Sequence, residues 1–328
     1  MPETPYTKTI SQKTIALTRL KPAQWLLASS PIYSMMMKDA TVIFLYHEVS
    51  DTPSRFHKEC DLNVNPQRFE KQIQAIKKNF NLLTPLQLLA NDYKRPAALI
   101  TFDDGASGYF ENALPILQRH NCPSLIFLNM APIEGDIFYS GLITYLCNHS
   151  DSFKTFLEKH HPNLPDPYTL HLVPKSVDNF LQSNNAQEIL SQAQQYYGRF
   201  ATPSHLNKCK DDRLVYFGNH LYRHHNCVNC TDEELIDLYD KNRKALSAYS
   251  NSIEFFSYPF GQKDLCYNEK TNTILNRLKA KAIFAAEADS FKPSGNFFHR
   301  LALNNDIESE AQLKTYLCLK RIKQIFSR

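Results

Sequence analysis

Three short apolar runs punctuate the first third of the chain: VIFLY at 42–46, ALITF at 98–102 and SLIFL at 124–128. Runs of this length, rich in β-branched and aromatic side chains, suit strands buried on both faces. The segment between the first two, NPQRFEKQIQAIKKNF, carries Phe69, Ile73, Ile76 and Phe80 at helical spacing behind Asn65-Pro66, a good helix start. YFENALPILQRH, after the second run, reads as another helix. Strands that alternate with helices imply parallel βα units, because parallel neighbours need a crossover. The 328 residues, 43% hydrophobic, would fill either two ordinary domains or one large α/β barrel.

The rhythm breaks at about 133–214, where SFKTFLEKH and QEILSQAQQYYGRF are separated by HPNLPDPY. This stretch reads as a largely helical insertion, with a small separate domain as the other reading. The alternation resumes with RLVYFGNH, a helix over 232–249 capped by Thr231, a strand at 253–258, a helix near 269–280 and a strand near 282–286. Residues 1–40 form an N-terminal extension and 41–328 the main domain. The last segment, EAQLKTYLCLKRIKQIFSR, is a basic amphipathic helix: either the final helix packed on the barrel or a contact with an anionic membrane face.

Composition narrows the function. A net charge of +4, without a basic stripe interleaved with aromatics, argues against a nucleic-acid partner. No apolar run approaches the roughly 18–20 residues that span a bilayer. The N-terminus lacks the order of a signal peptide, so a cytoplasmic protein is expected, with peripheral contact at the inner membrane face as an extension of that reading. Eight cysteines (60, 122, 147, 209, 227, 230, 266 and 318) lie largely in apolar patterns and are expected to be free thiols.

Chemistry concentrates at three places. In TFDDG, Asp103 and Asp104 stand where a strand ends, the edge at which α/β folds bind ligands; Asp-Gly is also ordinary turn chemistry. In FGNHLYRHHN, His220 and His224 can face one metal ion if the segment coils into a helical turn. With one strand-end aspartate they make a two-His, one-carboxylate set that leaves a divalent ion open to water. FFSYPFGQ ends an apolar strand in a Pro-Phe-Gly corner. Cys227 and Cys230, just past the histidines, admit a structural-zinc reading, but no second pair follows and loop or packing cysteines are the simpler account.

These motifs, in this order, resemble the polysaccharide deacetylase superfamily, carbohydrate esterase family 4 with its NodB-homology domain. TFDDG matches the first motif. GNHLYRHH matches the H-[ST]-x-x-H motif with Leu221 in place of Ser or Thr. SYPFG is similar to the third motif, with Ser257 where many members carry Arg. FLYHEVSD at 44–51 and FHRLAL at 298–303 resemble the opening Tyr-His segment and the closing Arg-containing strand. The resemblance implies a deformed (β/α) barrel, seven-stranded and TIM-like, and a metal-dependent N-deacetylase. By the same resemblance Asp104, His220 and His224 hold a divalent ion, with Zn²⁺ expected before Co²⁺ or Mn²⁺, and Asp103 is the general base. The Phe260 backbone N–H, beside Tyr258, serves the oxyanion. His47 is the general acid, and Arg300 orients Asp103. His47 also admits a plainer reading, a buried histidine bonded to backbone.

The expected substrate is an N-acetylated sugar, a glycan or a nucleotide- or lipid-linked precursor of a cell-surface polysaccharide. Oligomeric state is not legible in the sequence. A non-catalytic glycan- or partner-binding relative is the alternative, motivated by Leu221 and Ser257. An adaptor built on HHNCVNC is a third, from a different class.

Overall fold

The apolar runs become neighbouring strands of one closed sheet. The computed structural model of the chain describes residues 11–160, 174–287 and 290–326. Seven strands form the ring: β1 (Thr41–Tyr46), β2 (Ala97–Phe102), β3 (Ser124–Leu128), β4 (Val215–Asn219), β5 (Ser252–Ser257), β6 (Ala282–Ala285) and β7 (Phe297–Ala302). All pair in parallel. β1 closes the ring, aligning Ile43 with Leu99 on one side and with Arg300 on the other. The expected deformed barrel of seven strands is the architecture found.

Strand alternation sorts the core into two layers. Ile43, Leu99, Phe127, Phe255, Phe284 and Phe298 pack together inside the ring. Their neighbours Val42, Phe44, Ala98, Ile100, Ile126 and Leu128 belong to the cluster beneath the outer helices. Both faces are buried, which explains unbroken apolar runs in place of a polar–apolar alternation.

Helices α1 (Gln12–Arg19), α2 (Lys21–Leu27) and α3 (Ser30–Met37) precede β1. They are not a loose extension: Ile15, Tyr33 and Met37 share a core cluster with Leu313, Tyr316 and Leu317 of the last helix, Glu310–Phe326. Arg321 to Asp39 at 2.9 Å and Arg19 to Asp306 at 3.2 Å tie the two chain ends together. That last helix therefore packs into the fold, leaving Ile325 and Phe326 exposed at its tip. The helix α4 (Pro66–Asn79) starts at Asn65, whose side chain accepts from the Arg68 N–H. The helix expected at 109–120 opens instead with a π-helical turn, Tyr109–Ala113, before Leu114–Arg119. Pro115 has no N–H to donate, so the α-helical ladder cannot run through it unbroken.

Between β3 and β4 the described chain is largely helical, including Tyr139–His149, Asp151–His160, Pro174–Gln182 and Ala186–Tyr197. Phe138, Leu142, Leu146, Phe153, Phe180 and Tyr196 give these helices a core of their own, shared with Phe56. Residues 161–173, within the expected insertion, lie outside the described residues. All eight cysteines are free thiols.

Candidate active site

The two acids of TFDDG leave the end of β2 at the C-terminal mouth of the barrel. Continuing the inward series Leu99, Thr101 puts Asp103 inside. Strict alternation would send Asp104 outward. It does not go there, because Asp104 takes φ 72° and Gly105 φ 94°, which breaks the extended chain. Aspartate tolerates this left-handed region better than most residues. The backbone conformation favours glycine at 105, and a Cβ there would also press on Leu128 Cδ2 at 2.9 Å. Both carboxylates are thus buried at one place, 3% and 1% exposed.

His220 and His224 follow β4, but not on the helical turn that the spacing suggested. The segment is an irregular loop in which Leu221 (φ 60°) and His224 (φ 54°) are both left-handed. Three buried asparagines hold it in place of a helical ladder. Asn129 Nδ2 donates to the carbonyls of His220 and Leu221, Asn219 Oδ1 accepts from the Leu221 N–H, and Asn242 Nδ2 donates to Asn219 Oδ1. Leu221, the departure from the family motif, is fully buried against Leu235 and Tyr239. From the helical insertion, Ser140 Oγ bonds His224 Nδ1 at 2.5 Å, and Phe138 packs 5.6 Å from the same ring. Neither Ser140 nor the asparagines stood out in the sequence, since each is distant along the chain from the motif it supports.

The loop turns both imidazoles on Asp104. His224 Nε2 lies 3.1 Å and His220 Nε2 3.4 Å from Asp104 Oδ1. Ligand atoms of the three residues all fall within 4.8 Å of one another, the one such grouping of three or more His, Cys, Asp or Glu among the described residues. Cys227 and Cys230 are not part of it.

The donor chemistry fits a divalent cation. His220 Nδ1 bonds the Ser257 carbonyl at 2.8 Å, so Nδ1 carries a proton and Nε2 is the nitrogen turned toward the carboxylate. Neither oxygen of buried Asp104 has a hydrogen-bond partner. A proton or a cation must separate these groups. Burial outweighs the pull of Asp104 and lowers the His224 pKa, which disfavours the proton. Donors about 2.1 Å from a common tetrahedral centre stand about 3.4 Å apart, close to the two imidazole–Asp104 separations.

Asp103 is held differently. The Arg300 guanidinium, from the inward face of β7, meets it in a two-point clasp, Nη1–Oδ1 and Nη2–Oδ2 both 2.6 Å. Arg300 also donates to Ser257 Oγ at 2.6 Å and lies over the Phe127 ring at 5.2 Å. Ser257, which stands where the family motif often has arginine, thus helps to seat an arginine supplied by another strand. Burial alone would raise the Asp103 carboxyl; Arg300 and the nearby imidazoles outweigh it and hold it below its ordinary value.

The remaining sequence candidates divide. His47, at the end of β1, is partly exposed, and Asp104, Asp103, Arg300 and His220 all act on its charge; burial has the largest effect and lowers its pKa. Phe260 (φ 62°) is the corner of a tight turn closed by the Gly261 N–H on the Pro259 carbonyl at 2.7 Å, and its ring stands 4.6 Å from that of His224. The side chain of Tyr258 is a correction. It follows inward Ser257 and so faces outward, fully buried between β5 and the helix Glu269–Arg277, where it bonds Asn272 at 2.7 Å and stacks on Tyr267. It does not reach the trio.

A family model described as polysaccharide deacetylase matches residues 90–283, more than half of the chain and inclusive of TFDDG, HxxxH and SYPFG. The chain belongs to the polysaccharide deacetylase family. It is accordingly a hydrolase of the class that acts on N-acetyl groups of carbohydrates. Solved structures agree on the fold of this deacetylase. IcaB from Ammonifex degensii superposes with TM-score 0.55 at 16% identity, covering 86% of this chain and 98% of its own. The Streptococcus pyogenes deacetylase PplD, solved in complex with acetate, gives TM-score 0.54 at 16% identity, covering 84% and 98%. A de-N-acetylase from Aggregatibacter actinomycetemcomitans gives 0.52 at 13%, covering 85% and 100%. No curated protein matches the sequence.

Proposed function

We propose that this family member is a divalent-metal-dependent N-deacetylase that hydrolyses the acetamide of an N-acetylated sugar, a glycan or lipid-linked precursor of a surface polysaccharide. The observation that carries the reading is the division of labour between adjacent acids. Asp104 is left without a hydrogen bond at the focus of two imidazoles, whereas Asp103 is clasped by Arg300.

Asp104, His220 and His224 would hold the ion, with Zn²⁺ expected first. When bound, such an ion acts as a Lewis acid on the acetyl carbonyl and acidifies water from a pKa of 15.7 toward about 7. Asp103, kept ionised by Arg300, accepts the proton of the attacking water. The Phe260 backbone N–H is assigned to the oxyanion, a contact of a kind worth about 3–4 kcal/mol where measured. His47 donates a proton to the departing amine, since an amide anion is too basic to leave. The two departures that motivated a non-catalytic reading find places in the fold: Leu221 is buried in the apolar cluster that holds Leu235 and Tyr239 of the helix Asp232–Leu246, and Ser257 accepts from Arg300.

The test is acetate release from nucleotide-linked, lipid-linked and polymeric N-acetyl sugars with Zn²⁺, Co²⁺ or Mn²⁺ supplied, alongside metal analysis. Asp103→Asn is expected to keep one equivalent of metal and lose turnover by at least about 10²-fold. Asp104→Ala is expected to lose the metal. Equal turnover of Asp103→Asn and wild type would overturn the assignment of the base, and no acetate from any substrate would overturn the enzymatic reading.

A further inference from the structure

The segment after β1 and Asn305, just past β7, border an open cavity of about 410 Å³ lined by Asp51, His57, Lys58, Asp61 and Asn63 among others. Both elements follow the C-terminal ends of parallel strands, so the cavity opens at the same end of the barrel as the trio. Pro53 is its one apolar lining residue. Its walls are built: Asn63 is exchanged with Ser50 through two bonds of 3.1 Å, and Asn65 is bonded to Asn305 at 2.9 and 3.2 Å.

One wall residue is incomplete. His57 is 2% exposed, its Nδ1 lies 2.8 Å from Ser54 Oγ, and its Nε2 has no partner. Ser54 Oγ is placed to donate its proton to Nδ1, and in that tautomer the ring proton sits on Nε2. Burial is the main cause that lowers the ring's pKa, to about 4, and the charges of Asp104 and His47 also act on it. A buried donor with nothing to bond is costly, and a ligand that completes it recovers that cost.

We propose that this cavity is a sugar-binding subsite flanking the catalytic centre, in which His57 Nε2–H donates to an oxygen of the unit next to the one being deacetylated. The proposal rests on the deacetylase reading above. The size lies within the ~300–1,000 Å³ of small-molecule sites. Amides, carboxylates and an ammonium group offer donors and acceptors in the mixture that hydroxyls need. Asp51 and Asp61 argue against a phosphate, so the occupant is a neutral hexose or N-acetylhexosamine unit of an oligosaccharide.

The experiment compares full-length wild type, His57→Asn and His57→Gln, each loaded with Zn²⁺. Substrates are N-acetylglucosamine oligomers, β-1,4- and β-1,6-linked, from monomer to hexamer, together with 4-nitrophenyl acetate, which is too small to reach the subsite. Wild-type kcat/KM is expected to rise with length. His57→Asn keeps a group for Ser54 but none at the Nε2 position; it should raise KM for oligomers about tenfold, the scale of one hydrogen bond. It should lower the aryl ester rate by less than it lowers the oligomer kcat/KM. His57→Gln, which restores a donor at the Nε2 position, should recover part of the loss. No length dependence in wild type, equal oligomer KM in His57→Asn, or equal losses on ester and oligomer would each overturn the subsite. Failure of wild type to release acetate from any substrate would instead overturn the deacetylase reading.

Discussion

Replacing Arg300 by methionine tests the central electrostatic claim. The pair it breaks is nearly dry, with side chains 0% and 4% exposed, and Asp103 would keep its burial and lose its countercharge. Removing one partner of a buried pair costs about 3–5 kcal/mol, a large share of the roughly 5–15 kcal/mol that holds a typical domain together. In wild type the depressed Asp103 pKa contributes stability above the unfolded value of about 3.9. That contribution is lost as pH falls through the folded value. In Arg300→Met burial dominates, the pKa moves above its ordinary value, and stability instead falls as pH rises past about 4. Urea unfolding across pH measures both slopes. The acid limb of the kcat/KM profile for acetate release should move up by at least about one unit, equivalent to about 1.4 kcal/mol. Adding Asp103→Asn should recover most of the stability and none of the turnover, because the charge that had to be neutralised is gone along with the base. An Arg300→Met protein as stable as wild type with an unmoved acid limb would refute the reasoning, as would a double variant no more stable than the single one.

Three further outcomes are expected. Asn129→Ala strips the His220 and Leu221 carbonyls of their donor and should weaken Zn²⁺ binding about 10–100-fold by calorimetric titration, the range seen when groups behind metal ligands are removed. Glu48 is buried, mainly for that reason its pKa rises from 4.5 to about 7, and Glu111 adds to the shift. The folded state therefore binds more protons between those values. Wild-type stability should decline by about 3 kcal/mol as pH rises across that window, and Glu48→Gln should abolish the decline in urea titrations. Tyr258→Phe loses the bond to Asn272 and should cost about 0.5–1.5 kcal/mol of stability while kcat/KM stays within about twofold of wild type.

The barrel was legible because its determinants are local. Apolar runs such as ALITF and amphipathic segments such as that over 66–80 each declare their own period, and parallel pairing follows from their alternation. TFDDG, HxxxH and the Arg300 strand were legible as residue types at fixed places. Their geometry was less so. The histidine spacing suggested a helical turn, whereas the buried side chains of Asn129, Asn219 and Asn242 compete with a helical ladder and hold a left-handed loop. The resemblance sets Tyr258 beside Phe260 at the site, yet strand alternation turns its side chain outward one residue past Ser257. Ser140 and His57 carried no signal at all, because a serine or histidine becomes informative only when something distant is set against it.

The sequence by itself determined which segments would be strands, that they would run in parallel, and that two acids would stand at a strand end with two histidines downstream. Those are properties of neighbours along a chain. Only the tertiary structure decided which acid does what. Closing the ring brings Arg300, 197 residues away, onto Asp103, and the insertion brings Ser140, 84 residues away, onto His224. The left-handed turn at Asp104 then leaves that carboxylate to the imidazoles. Charge and hydrogen bonding act through space, so the division between adjacent carboxylates exists only once the barrel has closed.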